Sequence, residues 1–114
     1  MISLSSEHLA PEARGELGAE RAKMLAFTSV LKLWRRRKEE GLSQADIAKA
    51  IGKDEGWVSR NLKGPKNWTI KTLGEFAEAL NGDLEIQVLA GEDVALRESK
   101  HNWHAYTEYE PQRI

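Results

Sequence analysis

The chain has 114 residues, a formal net charge of −1, 40% hydrophobic and 31% charged residues, and no cysteine. This length suits one domain, and the lack of cysteine excludes disulfides and thiolate metal sites while fitting a reducing compartment. The first residues carry no basic segment before an apolar run, and no stretch approaches the ~20 apolar residues of a membrane helix. We therefore expect a cytoplasmic protein with no signal peptide and no membrane partner.

The N-terminal third is predicted to consist of an arm followed by a long helix. Residues 1–20 contain one proline and two glycines with few large apolar side chains, which favours an arm with at most one helical turn after Ala10. From Glu20 onward, large apolar residues recur every three or four positions, a spacing that predicts a helix ending near Gly41. The inward face of this helix is predicted to comprise Met24, Phe27, Leu31 and Trp34.

Two short helices joined by a glycine are predicted next. Ser43 can cap the first of them, and Asp46 three residues later completes a capping box. Gly52 ends this helix, and Asp54 is a suitable cap for the following one, which extends to about Leu62. Two helices in this arrangement form a helix-turn-helix, whose second helix has the shape to enter the DNA major groove. The predicted inward residues are Ile47, Ala48, Ile51, Val58 and Leu62.

A fourth helix and a strand follow. Thr69 caps the helix, which continues to about Leu80, with inward residues predicted to be Ile70, Leu73, Phe76, Ala77 and Leu80. Apolar and polar residues then alternate over residues 83–89, a period that predicts a β-strand. Because a lone strand is only marginally stable, we expect it to pair with the same strand of a second copy or with the N-terminal arm. In the first case the dimerisation residues are Leu84, Ile86 and Val88.

Residues 90–114 are polar and rich in aromatic side chains, without a clear period. This composition fits an unstructured tail or an arm that binds a protein partner. Its histidines and aromatic residues lie in the stretch that comprises His101, Asn102, Trp103, His104, Tyr106 and Tyr109. Two histidines three residues apart need further ligands to hold a metal, so no metal or cofactor is expected. The predicted organisation is an arm (1–20), a helix-turn-helix domain (21–82), a dimerisation strand (83–89) and a C-terminal tail (90–114).

The small net charge conceals three blocks of opposite sign. Residues 1–20 hold one Arg and four Glu, net −3, and residues 72–114 hold three basic and nine acidic residues, net −6. Residues 21–71 hold 13 Lys or Arg and five acidic residues, net +8. A basic block that coincides with a helix-turn-helix is the electrostatic footprint of a phosphate-binding surface, although charge runs also occur on solvated helix faces. The coincidence favours nucleic acid as the partner.

From Gly41-Leu42-Ser43-Gln44 onward the chain resembles the phage-repressor (Cro/C1, or Xre) class of helix-turn-helix proteins. The similarity spans about Leu33 to Leu80. It includes Ile47-Ala48, Ile51-Gly52, Val58-Ser59-Arg60, Gly64, Thr72-Leu73 and Ala77-Glu78-Ala79-Leu80. The resemblance implies a mostly α fold, a lambda-repressor-like domain of four to five helices. The single C-terminal β-strand expected after it is similar to that of DNA-binding antitoxins.

The sequence departs from the family pattern at three positions. Leu62 stands where the family usually has a Glu that pairs with an Arg on the first helix, so Arg37 is expected to be available for phosphate. Trp68 replaces the proline expected before the fourth helix, and Lys53 replaces an apolar residue before the recognition helix. We expect Trp68, like Trp57, to pack in the core rather than to contact DNA.

The predicted DNA contacts come from the start of the second helix, the outward side of the third helix, and the loop after it. The resemblance implies that Gln44 contacts the DNA backbone together with the helix N-terminus, and that the loop contacts phosphates. On the third helix, Glu55 can accept a hydrogen bond from cytosine, and Gly56 allows close approach of the backbone. The full set is Gln44, Lys53, Glu55, Gly56, Ser59, Arg60, Lys63, Lys66 and Asn67.

Arg60 is the strongest candidate for base recognition. Its guanidinium can donate two hydrogen bonds to guanine, which provides ~1–3 kcal/mol of discrimination. A surface ion pair with Asp54 or Glu55 is an alternative role. Asp54 itself is expected to act only as a helix cap.

Three functional hypotheses follow. The first is a non-enzymatic transcriptional regulator, a repressor that binds a palindromic double-stranded DNA operator as a homodimer. The second is an antitoxin that autoregulates its operon and binds a toxin protein through a terminal segment. The third, motivated by Asp54 and Glu55, is a protein-interaction module that keeps the fold without binding DNA. Catalytic motifs are lacking, and all three histidines lie outside the predicted core, so we predict no enzymatic activity.

Overall fold

A computed structural model describes residues 7–93. One compact unit, Leu9–Glu85, contains four helices, and residues 7–8 and 86–93 belong to a second unit that is described by itself. In the second unit, residues 91–93 are helical. Of the helices within the described part of the chain, none combines the length and apolar character that crossing a bilayer requires. The four helices are α1 (Pro11–Glu39), α2 (Gln44–Ile51), α3 (Glu55–Asn61) and α4 (Ile70–Ala79).

Helix α1 begins at Pro11 and is 29 residues long, so residues 11–20 are helical where the sequence predicts an arm with at most one turn. Proline at the first position and Glu12 in the first turn both favour a helix start. The two glycines of this segment cost about 1 kcal/mol each relative to alanine, but good helix formers surround them. The buried residues of α1 are Phe27, Val30 and Trp34, all in its second half.

The predicted caps of the helix-turn-helix are confirmed. The hydroxyl of Ser43 accepts a hydrogen bond from the Asp46 N–H at 3.1 Å, and the Asp46 carboxylate accepts one from the Ser43 N–H at 2.9 Å. The Ser43 hydroxyl also donates to the Asp46 carboxylate at 2.9 Å, and the two hydrogen bonds that this carboxylate accepts, from the Ser43 N–H and hydroxyl, lower the pKa of Asp46. Gly52 ends α2 in the left-handed region, with φ of 69°. Asp54 then caps α3, because its Oδ1 accepts the Trp57 N–H at 2.7 Å.

The core lies where α2, α3 and α4 meet, and the second half of α1 covers it. Phe76 on α4 is fully buried and stacks on Trp57 at 5.4 Å and on Trp68 at 5.0 Å between ring centroids. Trp68 also contacts Phe27 of α1, with ring centroids 6.1 Å apart. The other side chains that are less than 2% exposed are Ile47, Val58 and Leu80.

Two of the predicted inward residues are exposed. Ile70 is 70% exposed because it occupies the first position of α4, before the turn that contributes Leu73 and Phe76 to the core. Met24 is 51% exposed and belongs to the half of α1 that has no buried residue. Helical spacing predicts which residues share one side of a helix. Burial also requires that another element packs against that part of the helix.

The predicted β-strand over residues 83–89 is not present: residues 82–90 have no regular secondary structure, and no strand occurs between residues 7 and 93. A strand requires a second strand with which to exchange backbone hydrogen bonds, and the described part of this single chain offers none. The apolar side chains at alternate positions are exposed. They are Leu84 (42% exposed), Ile86 (59%) and Val88 (97%).

Candidate nucleic-acid interface

Helix α3 has two sides of different character. Val58 and the cap residue Leu62 are buried in the core, whereas Glu55, Gly56 and Arg60 are exposed. We call the exposed side, with the half-buried Ser59, the outer face of α3. It contains four of the nine predicted DNA-contacting residues, because every third or fourth position of a helix shares a side.

Arg60 is exposed and forms no ion pair within the described residues, so the alternative pairing with Asp54 or Glu55 is not present. The two acidic residues at the helix start differ in their roles. Asp54 is engaged as the N-cap, whereas the Glu55 carboxylate is exposed at the first helical position. The outer face therefore presents one cationic and one anionic group to solvent, which can serve as hydrogen-bond donor and acceptor.

Lys53, in the turn before α3, makes contacts within the domain. Its Nζ lies 5.0 Å from the centroid of the Trp57 ring and 4.0 Å from Oε2 of Glu75, and its side chain is 31% exposed. The ring and the carboxylate both attract the ammonium group. These contacts fix the position of the charge beside the start of α3, where the sequence predicts a DNA contact.

The two tryptophans pack as expected, and Asn61 connects them. The indole Nε1–H of Trp68 donates to Oδ1 of Asn61 at 2.8 Å, while the Asn61 amide donates to the carbonyl of Trp57 at 2.9 Å. Asn61 was not among the residues predicted from the sequence to have a role. The general need of a buried Trp N–H for an acceptor was the available signal, but it does not identify which residue accepts. This link fixes the end of α3 against the loop that leads to α4.

The remaining predicted contacts flank α3 along the chain. Gln44 is the first residue of α2 and is half-buried. Lys63, Lys66 and Asn67 are exposed in the connection between α3 and α4, where the Trp68 N–H donates to the Lys66 carbonyl at 2.8 Å. Two cations and an amide on one short connection suit contact with phosphate oxygens.

The prediction that Arg37 is available for phosphate is wrong. Its Nε donates to the carbonyl of Leu80 at 2.8 Å and its Nη2 to the carbonyl of Asn81 at 3.2 Å, where α4 ends. Its Nη1 pairs with Glu40 at 3.0 Å, and this hydrogen bond lowers the pKa of Glu40. The last carbonyls of a helix lack partners within the helix, so a cation on α1 satisfies them. With the buried Leu62 in place of a glutamate, the guanidinium binds the end of α4 instead.

A match to the helix-turn-helix family model covers residues 35–87. Neither the curated proteins nor the solved structures yield a significant match. The matched segment extends from the last turns of α1 past the end of α4, and it contains the capped pair α2 and α3 with the glycine turn between them. Residues 35–87 therefore form a helix-turn-helix domain of the Cro/C1 (Xre) type, a class of domain found in DNA-binding regulators.

Proposed function

We propose that this protein is a cytoplasmic, sequence-specific double-stranded DNA-binding regulator, a repressor that acts as a homodimer on a palindromic operator. The observation that carries the proposal is the outer face of α3. Its side chains are exposed, its arginine has no protein ion pair within the described residues, and its inner side is fixed by the stack of Trp57 on Phe76. A rigid short helix with uncommitted polar groups suits insertion into the major groove.

Recognition divides between two groups of residues. On the outer face, Arg60 donates to guanine, and Glu55 accepts from the amino group of cytosine. Around it, the first turn of α2 at Gln44 and the connection with Lys63 and Lys66 contact phosphates. Phosphate contacts orient the domain on any sequence, whereas the base contacts distinguish one sequence from another.

A homodimer places two copies of α3 in successive major grooves, about 34 Å apart. Residues 83–89 support this proposal, because their exposed apolar side chains alternate as they do in a strand that becomes half-buried on pairing. We expect Ile86→Glu to convert the dimer to a monomer in light scattering. Leu25→Glu is the matched control, since Leu25 is a 66% exposed leucine on α1, outside the proposed interface. Equal dissociation in both variants, or in neither, contradicts this interface.

The decisive experiment is selection of bound duplexes from a pool with a random core of about 20 base pairs, two helical turns. We expect a palindromic site, and then compare Arg60→Ala with Lys63→Ala on that site and on random DNA. Arg60→Ala weakens the selected site by roughly tenfold relative to random DNA, whereas Lys63→Ala weakens both equally. Equal losses in both variants contradict base recognition by Arg60. A complete lack of binding at low salt, where non-specific binding is strongest, contradicts the DNA-binding proposal and favours an interaction module.

The antitoxin alternative depends on the aromatic stretch 101–109, which lies outside the described residues. It predicts that a small toxin is encoded beside this protein and that the two copurify. Loss of copurification on truncation after residue 93, with unchanged operator binding, favours the antitoxin. An isolated gene argues against it.

A further inference from the structure

Gly56 creates a notch on the outer face of α3. A methyl group at this position would lie 3.2 Å from Nη1 of Arg60 and 3.3 Å from Oδ1 of Asp54, closer than ordinary van der Waals contact. The backbone of Gly56 is helical and does not have a positive φ, so alanine is compatible with its conformation. Glycine is therefore not needed at position 56 for the backbone conformation. Its effect is to leave free the space beside Arg60 and Asp54.

The notch determines the direction of the Arg60 side chain. Arg60 belongs to the last turn of α3, yet one end of its guanidinium lies over the first turn, beside the Gly56 Cα. Helical side chains point toward the N-terminus of their helix, and a long arginine can reach back a full turn. The first turn of a recognition helix is the part that contacts base edges, so this direction brings the guanidinium to that end.

Asp54 supplies a fixed negative charge at the same notch. Its Oδ1 accepts the Trp57 N–H at 2.7 Å, which fixes the carboxylate, and the same oxygen borders the space above Gly56. Nη1 of Arg60 and Oδ1 of Asp54 each lie within 3.3 Å of the position that a methyl group on Gly56 would occupy. The two atoms are therefore near each other, although they do not form an ion pair. At such a separation the carboxylate attracts the arginine without occupying its donors.

We propose that Gly56 and Asp54 are positioning residues that hold the Arg60 guanidinium over the first turn of α3, and that this arrangement makes guanine the base recognised there. The inference rests on the proposed DNA-binding function and names the residues that determine its specificity. Bidentate recognition of guanine requires both donors of the guanidinium at a defined angle. A free arginine on an exposed helix end would lose side-chain entropy on binding, and the notch reduces that loss.

Two substitutions test the positioning without removing Arg60. Gly56→Ala fills the notch, so the neighbouring Arg60 guanidinium has to shift by a few tenths of an ångström, while alanine itself suits the helical backbone. Asp54→Ser removes the charge but keeps a cap, as Ser43 does for α2 in the same chain. Gly74→Ala is the matched control, because Gly74 lies within α4 and a methyl group there would meet nothing within 4 Å.

The measurement is competition between the selected duplex and the same duplex with the recognised guanine replaced by adenine. We expect Arg60→Ala to lose the guanine preference by about tenfold, and Gly56→Ala and Asp54→Ser each by roughly threefold. Gly74→Ala leaves the preference unchanged, and melting temperatures verify that all four variants fold. If Arg60→Ala loses the preference while the two positioning variants retain it, this inference is overturned and the proposed function stands. If the wild-type chain selects no DNA, both are overturned.

Discussion

The two sides of α3 divide stability from recognition within a helix of seven residues. On the inner side, Val58 is fully buried, Trp57 stacks on Phe76, and Asn61 hydrogen-bonds to Trp68. On the outer face, Arg60 is exposed and unpaired within the described residues. We therefore expect substitutions on the inner side to change the free energy of unfolding, whereas removal of the exposed charges of Glu55 or Arg60 on the outer face should act mainly on ligand binding.

The largest effect is expected at Phe76, which supports the inner side of α3. Phe76→Ala removes a fully buried ring that contacts both Trp57 and Trp68, and should lower the free energy of unfolding by ~3–5 kcal/mol. Urea denaturation followed by tryptophan fluorescence measures this loss. Phe76→Leu, which removes less of the side chain, should show a smaller loss in the same experiment. It replaces Phe76→Ala as the test if the alanine variant does not fold. A loss below about 1 kcal/mol for the alanine variant would mean that the stack does not hold α3 in place.

The second largest effect is expected at Arg37, a cation that stabilises the fold rather than binding DNA. Arg37→Met removes the donors that satisfy the carbonyls of Leu80 and Asn81, and should lower the free energy of unfolding by ~1–3 kcal/mol. Arg36→Met is the matched control, since the Arg36 side chain is 70% exposed and its Nε lies 3.4 Å from the Glu40 carboxylate. The salt dependence of DNA binding should be the same for Arg37→Met and wild type. A weaker dependence of DNA affinity on salt concentration in Arg37→Met would show that Arg37 contacts a phosphate after all.

Local signals in the sequence predicted the segment from α2 to α4 well. The capping box of Ser43, the glycine turn at Gly52 and the caps at Asp54 and Thr69 are all confirmed. The three caps depend on hydrogen bonds between residues three positions apart, and the turn depends on the left-handed backbone of Gly52, so the residue types alone carry the information. The same locality explains why the family resemblance and the family match agree over this segment.

Contacts between distant residues were not predictable in the same way. Arg37 and Leu80 are 43 positions apart, and nothing near either residue indicates that one donates to the other. The link of Asn61 to Trp68 depends on how the loop folds back. The strand over residues 83–89 failed for a related reason, since periodicity indicates which side chains share a face but not whether a second strand is present. The DNA contacts themselves remain predictions, because they depend on the partner.

A smaller effect is expected in α2, where a cap couples stability to pH. Ser43→Ala should lower the free energy of unfolding by about 1 kcal/mol at neutral pH. Hydrogen bonds from Ser43 lower the pKa of Asp46 in the folded state, so the ionised carboxylate stabilises the fold above its unfolded-state pKa. That stabilisation is lost as the pH falls through the folded-state pKa. The Ser43→Ala variant keeps the backbone N–H that donates to Asp46. Part of the loss of stability at acidic pH should therefore persist in this variant. An identical acid dependence in both proteins would exclude the hydroxyl as a contributor.

The smallest effect on unfolding, and the sharpest test of the division in α3, is expected at Glu55. This carboxylate is exposed at the first helical position, where its interaction with the helix dipole is worth less than about 1 kcal/mol. On the outer face, however, it repels phosphate and accepts from cytosine. Glu55→Gln should therefore strengthen binding to random duplexes at low salt and weaken any cytosine preference, with little change in the urea midpoint. A destabilisation as large as that of Ser43→Ala, without a change in DNA binding, would show that the outer face contributes to folding and that the two sides of α3 are not separate in function.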